Sequence, residues 1–245
     1  MTFDPFGDFD TEGYLRNSLK LKDSVEVKES EHLSFEASIE DALAHLAKKR
    51  PIDYKAVLKT HEILFSGFYP WAGKDRNELV PHLAVFKGSQ DDPHHTAFER
   101  PDLIKRSVDY ALELAANKKR FRDRPGDVMG QLASAHPFLD GNGRAILLVY
   151  MELCYRAKFA IDWSKTSKDA YLRALSNEIR DPFVGHLDSY LKPYVVGISS
   201  RDEWPGVIGG IKGLDGLDKE GIIYANLDNP DIQQLYKTYR TQPIE

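Results

Sequence analysis

An all-α bundle with a small β element is the fold class this sequence predicts, on three observations. Residues 31 to about 197 place apolar side chains at helical spacing in one segment after another. Two stretches break that pattern with Gly, Pro and β-prone runs: 66–98, and the tail 198–245. The segment after Gly143 is apolar nearly all round, as a central helix is. The expected organisation is an N-terminal arm (1–30), a main domain (31–197) and a C-terminal extension (198–245) that contains short strands and a short helix.

The elements follow in order. In "SFEASIEDALAHLAKK", Phe35, Ile39, Leu43 and Leu46 recur at helical spacing, and Lys48, Lys49 and Arg50 suit the negative end of the helix dipole. "DYKAVLKTHEILF" offers Asp53 as a cap and Val57, Ile63 and Leu64 to the core. "LAVF" reads as a short strand. "RPDLIKRSVDYALELAANKK" carries Pro101 where an early-helix proline is tolerated and reads as one helix. "RPGDVMGQLASAH" supplies another, and "SKDAYLRALSNEI" and "PFVGHLDSYLKPYV" complete the bundle. "GIIYANL" is the β-prone run of the tail.

Composition excludes several classes. A single cysteine, Cys154, rules out an internal disulfide and a multi-cysteine zinc site, and reads as a small core residue. A net charge of -5 provides no global attraction for nucleic acid, so the basic clusters read as solvated helix ends. No apolar run approaches the roughly 20 residues that a bilayer requires. The acidic start "MTFDPFGDFDTEGY" is not a secretory signal, so the expected location is cytoplasmic, with delivery into another cell left open. Neither a nucleic acid nor a membrane is an expected partner.

The chemistry concentrates in "HPFLDGNGR", residues 136–144. Backbone N–H groups at a helix start lack intrahelical partners, and the dipole adds positive charge there. Gly141 and Gly143 let a ligand approach that backbone, and with Asn142 they describe an anion cradle. Arg144 adds a planar cationic fork suited to phosphate. Asp140 meets a phosphate without repulsion when a divalent cation lies between them, and magnesium suits one carboxylate plus phosphates. His136 titrates near neutrality, as a general base must. Phosphate-ester transfer is the reaction these parts describe. The alternative is that His136 packs while Asn142 and Gly143 only make a turn and a cap.

"HPFLDGNGR" resembles the signature of the Fic family, H-P-F-x-(D/E)-G-N-G-R-x-x-R, and "LFSGFYPWAGKDR" resembles a second family element upstream. The opening "GYLRN" is similar to that of a bacterial subgroup. The resemblance implies a Fic-type helical bundle with a β-hairpin flap over 78–96. It implies an AMP transferase that takes ATP as co-substrate with Mg2+, modifies a Ser, Thr or Tyr hydroxyl of a target protein and releases pyrophosphate. By motif position His136 would be the base and Asp140 the metal ligand. Gly141, Asn142, Gly143 and Arg144 would bind the nucleotide phosphates, and Phe138 would anchor the loop. The flap, at Val85, Phe86, Lys87 and Gly88, would pair with an extended stretch of the target. Trp71 reads as packing, Arg76 as packing or ligand contact, and the His94–His95 pair as a poor metal site.

The sequence departs from the family pattern at Leu147, where a second arginine is expected. The inhibitory pattern (S/T)-x-x-x-E-(G/N) is also absent: Glu40 lacks its flanking residues, and Thr241 and Glu245 have only its spacing. Restraint would then come from a separate small antitoxin, if from anything. Other donors (UMP, phosphate or phosphocholine), a weakly catalytic nucleotide-binding module and a metal-dependent phosphohydrolase stand as alternative readings.

Overall fold

The computed structural model describes residues 14–88, 96–214 and 222–240, with no description of the side chains of 238–240. The longest helix, α1 (Ser24–Lys48), starts ten residues before the sequence pattern suggested. Asp23 caps it, accepting hydrogen bonds from the N–H groups of Val25 and Glu26. Residues 24–30 of the expected arm are therefore helix. The preceding residues 14–17 fold as a turn held by Asn17, whose side chain bonds the backbone of Tyr14 and Leu21.

Helix α2 (Tyr54–Phe65) runs where expected, with Asp53 accepting from the Ala56 N–H at 2.8 Å. After a short helix α3 (Arg76–Leu79) comes strand β1 (Leu83–Lys87), followed by β2 (Thr96–Ala97). The helix expected over 100–119 is divided. A 3-10 turn at Pro101–Leu103 leads into α4 (Ile104–Ala116), and α5 (Lys118–Asp123) starts afresh at Asn117. The cause is local: Asn117 leaves helical geometry and its side chain accepts from the Arg120 N–H.

Helix α6 (Pro125–Ala135) ends at His136, and α7 (Asn142–Arg156) begins six residues later. Helix α7 is the bundle's centre, packed by α1, α2 and α6 and buried over most of its length. Beyond it lie β3 (Ala160–Ile161), α8 (Lys168–Arg180), α9 (His186–Leu191) and β4 (Val195–Val196), which pairs with β3. The helix expected over 182–195 is shortened to α9 because Gly185, at φ 93°, turns the chain just before it.

The tail adds α10 (Trp204–Gly209), β5 (Ile222–Asn226) and α11 (Pro230–Arg240). β5 joins β1 antiparallel, giving a three-stranded sheet in the order β2-β1-β5. Among the described residues no helix is long and apolar enough to cross a membrane.

Candidate active site

The six residues between α6 and α7 form a buried corner. His136 takes a left-handed conformation, φ 41°, which turns the chain out of α6. Arg76 holds that turn. Its side chain is fully buried, Nε donates to the His136 carbonyl at 2.7 Å, and one terminal nitrogen donates to the Glu99 carbonyl at 2.7 Å. Arg76 therefore braces the loop rather than facing a ligand. The His136 ring stacks on Phe98, with centroids 3.9 Å apart.

Asn142 closes the loop. Its side chain donates to the Phe138 carbonyl at 2.7 Å and accepts from the Phe138 N–H at 2.9 Å. Both amide ends thus serve the loop's own backbone, and what Asn142 can offer an anion is its main-chain N–H. The first helical bond of α7 runs from the Ala145 N–H to the Gly141 carbonyl, 3.1 Å. The N–H groups of Asn142, Gly143 and Arg144 consequently have no helix carbonyl to meet. A side chain built at Gly143 would meet no atom within 4 Å, so this part of the cradle faces open space.

Gly141 is fixed by sterics as well as by φ. At φ 74° its Cβ would lie 2.5 Å from the Phe65 ring and 3.1 Å from His61 Nε2. His61 lies beneath the corner, stacked on Phe138 with centroids 3.7 Å apart. The Gly73 N–H donates to its Nδ1 at 3.0 Å, so the proton sits on Nε2, which donates to the Asp140 carbonyl at 3.0 Å. Burial lowers the His61 pKa to about 3, which keeps the ring neutral. Phe138 is fully buried, as an anchor of the loop would be, and Trp71 packs with Nε1 donating to the Leu15 carbonyl at 2.6 Å.

Two partners of the corner come from α1, outside the segment read as the main domain's first helix. Lys28 Nζ contacts Asp140 Oδ2, while the other Asp140 oxygen accepts from the Gly141 N–H at 2.7 Å. Glu31, fully buried, forms an ion pair with Arg144 at 2.6 Å. The Arg144 guanidinium also lies over the rings of Phe35 and Phe65, at 5.6 and 5.0 Å. Burial alone would lower the pKa values of Lys28 and Arg144, and the facing carboxylates outweigh it, so both are raised. The signal for Glu31 was available in the sequence. It falls in line with Val27, Phe35 and Ile39, a carboxylate on an otherwise apolar face.

Leu147 is buried in the main core, so no cation stands one turn beyond the cradle at that position. Among the described residues no group of three His, Cys, Asp or Glu side chains is placed to hold a metal. Asp140 alone fits a magnesium ion that takes its other ligands from phosphates and water, in competition with Lys28 for Oδ2. His94, His95, Thr241 and Glu245 lie outside the described residues.

Fold and corner together define a helical domain built around a buried loop that leads into its central helix. The Fic/DOC family model matches residues 51–154, which carry both the bracing segment of Arg76 and the cradle. Over that segment the chain is similar to Fic/DOC proteins. It is 29% identical over 174 residues to the protein adenylyltransferase VbhT of Bartonella schoenbuchensis, a match covering 70% of this chain and 35% of that relative. The chain thus spans about a third of that relative's length. It is 27% identical to the probable protein adenylyltransferase y4lH of Sinorhizobium fredii, over 67% of this chain and 85% of the relative. Among solved structures, the BepC effector of Bartonella tribocorum with bound AMPPNP superposes with a TM-score of 0.59 at 19% identity, covering 76% of this chain and 93% of that one. A Fic domain of Bartonella quintana with bound ADP gives a TM-score of 0.60 at 17% identity, covering 77% and 94%. These two share the fold.

Proposed function

We propose that this chain transfers the AMP group of ATP to a hydroxyl side chain of a target protein. One observation carries the reading: the loop that begins at His136 leads into a helix start whose first three N–H groups meet no helix carbonyl, with open space at Gly143. His136 takes the proton from the attacking hydroxyl. The N–H groups of Asn142, Gly143 and Arg144 hold the α-phosphate and stabilise the charge that grows on it as pyrophosphate leaves. Arg144 meets the phosphates beyond, in competition with Glu31. When bound at Asp140, magnesium would supply charge neutralisation for the phosphates. Arg76 and Asn142 act earlier, by fixing the loop before any ligand arrives. Two relatives named as adenylyltransferases support the choice of AMP.

Leu147 favours a second reading, in which the same corner serves another donor and transfers UMP, phosphate or phosphocholine. The test is host lysate with magnesium and ATP labelled at the α- or the γ-phosphate. Protein labelled from the α position alone is the expected result. Label from the γ position alone would replace AMP transfer by phosphate transfer. No label from either, with transfer from UTP or CDP-choline, would establish the second reading.

A further inference from the structure

The edge of β1 assigned on sequence to a target's strand is already paired. β1 is the central strand, with β2 on one side and β5 on the other. Five residue pairs are in register, from Leu83 opposite Asn226 to Lys87 opposite Ile222, and the Leu227 N–H continues the ladder to the His82 carbonyl at 2.9 Å. Main-chain pairing of this kind is nearly indifferent to sequence, so a foreign extended segment can offer the same bonds.

The two faces of β5 do different things. Ile223 and Ala225 join Ala84 and Phe86 under α11, which adds Ile232 and Tyr236 to a small apolar cluster separate from the main core. Tyr236 Oη donates to the Phe98 carbonyl at 2.8 Å. On the other face Tyr224, opposite Val85, packs against the main core, and its hydroxyl donates to the Leu139 carbonyl at 3.0 Å. Leu139 precedes Asp140 in the corner, so an aromatic hydroxyl from a strand paired with β1 reaches the catalytic loop. Burial, with the Asp140 charge adding to it, raises the Tyr224 pKa and keeps the phenol protonated as a donor.

We propose that residues 222–240 occupy, within the chain itself, the strand position that a target's extended segment takes, and that a target docks by displacing them. The proposal rests on the transferase reading of the corner. β5 then describes its competitor. The target presents an extended segment that runs antiparallel to β1, with aliphatic or small side chains opposite Ala84 and Phe86. It places its hydroxyl-bearing residue opposite Val85. A segment clipped on by its own small cluster can open without unfolding the bundle.

Two measurements test this. In wild type, hydrogen exchange should release the β5 amides at least about 100-fold faster than those of α7, as a locally opening segment does. Equal protection of β5 and α7 would overturn displacement, whether or not the chain transfers anything. In the second, Ala84→Cys is combined with Ala225→Cys. Facing residues of an antiparallel pair lie within disulfide reach, and the native Cys154 is buried elsewhere. Oxidation should lower label transfer to the target at least tenfold while ATP binding stays unchanged, and reductant should restore transfer. Undiminished transfer by the oxidised variant would overturn the proposal. Absence of transfer by wild type would instead count against the transferase reading, and exchange alone would then decide displacement.

Discussion

The corner at 136–144 and the tail at 222–240 meet where the Tyr224 hydroxyl bonds the Leu139 carbonyl, yet they are held in different ways. The corner is fixed from inside the bundle. Its carbonyls are bonded by Arg76 and His61, its backbone is clamped by Asn142, and its charges are matched by Lys28 and Glu31. The tail is held by one strand ladder, a small apolar cluster, the Tyr224 ring against the main core and two tyrosine hydroxyls. The difference separates a part that must be rigid before a ligand arrives from a part that can leave. Positioning chemistry needs the first; recognition of a varied partner tolerates the second.

The sharpest way to break the corner is to strand one of its charges. Glu31→Ala leaves Arg144 buried without a counter-charge, and the expected loss of stability is about 3–5 kcal/mol in denaturant unfolding. Asn142→Ala comes next. It leaves the Phe138 N–H and carbonyl unpaired in the interior, for an expected loss of about 2–4 kcal/mol, with transfer abolished. If Asn142→Ala kept full transfer, the clamp would be irrelevant to the site.

The tail should respond more weakly and more locally. Tyr236→Phe removes one hydrogen bond, an expected loss of about 1 kcal/mol, and should speed exchange in β5 while leaving α7 protected. A global loss in this variant would erase the contrast between the two regions. The last check is protonic. His61 is held neutral with a pKa of about 3, below the ordinary value of about 6.5 that it regains on unfolding. Its contribution is therefore present above pH 6.5 and is lost as pH falls towards 3. Asp127 is shifted the opposite way, to about 6, by burial, and its contribution is lost as pH rises from about 4 to 6. A melting curve would blend the two, so the check is imidazole NMR: the His61 ring should stay neutral at pH 5.

Much of the fold was legible because its signals are local. The Asp53 cap, the apolar α7 and the "LAVF" strand each follow from a few neighbouring residues. Chemical types crowded into nine positions made the corner legible too, though not what holds it. Lys28 and Glu31 reach it from more than a hundred positions away, Lys28 from the expected arm and Glu31 from just inside the main domain, both ahead of the helix whose periodicity was read from Phe35 onward. Arg76 left packing and ligand contact open, because only the folded chain brings its guanidinium to the His136 and Glu99 carbonyls. The pairing of β5 with β1 was out of reach for the same reason. "GIIYANL" announces a strand, and nothing in it names a partner some 140 residues earlier.

The measurement closest to the central claim compares His136→Ala with wild type in two assays on the same preparations: ATP binding by calorimetry, and label transfer from the α-phosphate to protein. A base that does not hold the nucleotide should leave affinity within about twofold while transfer falls by about 10²-fold or more. Transfer that survives in His136→Ala, or binding and transfer that fall together, would contradict the assignment of His136 as the group that takes the proton.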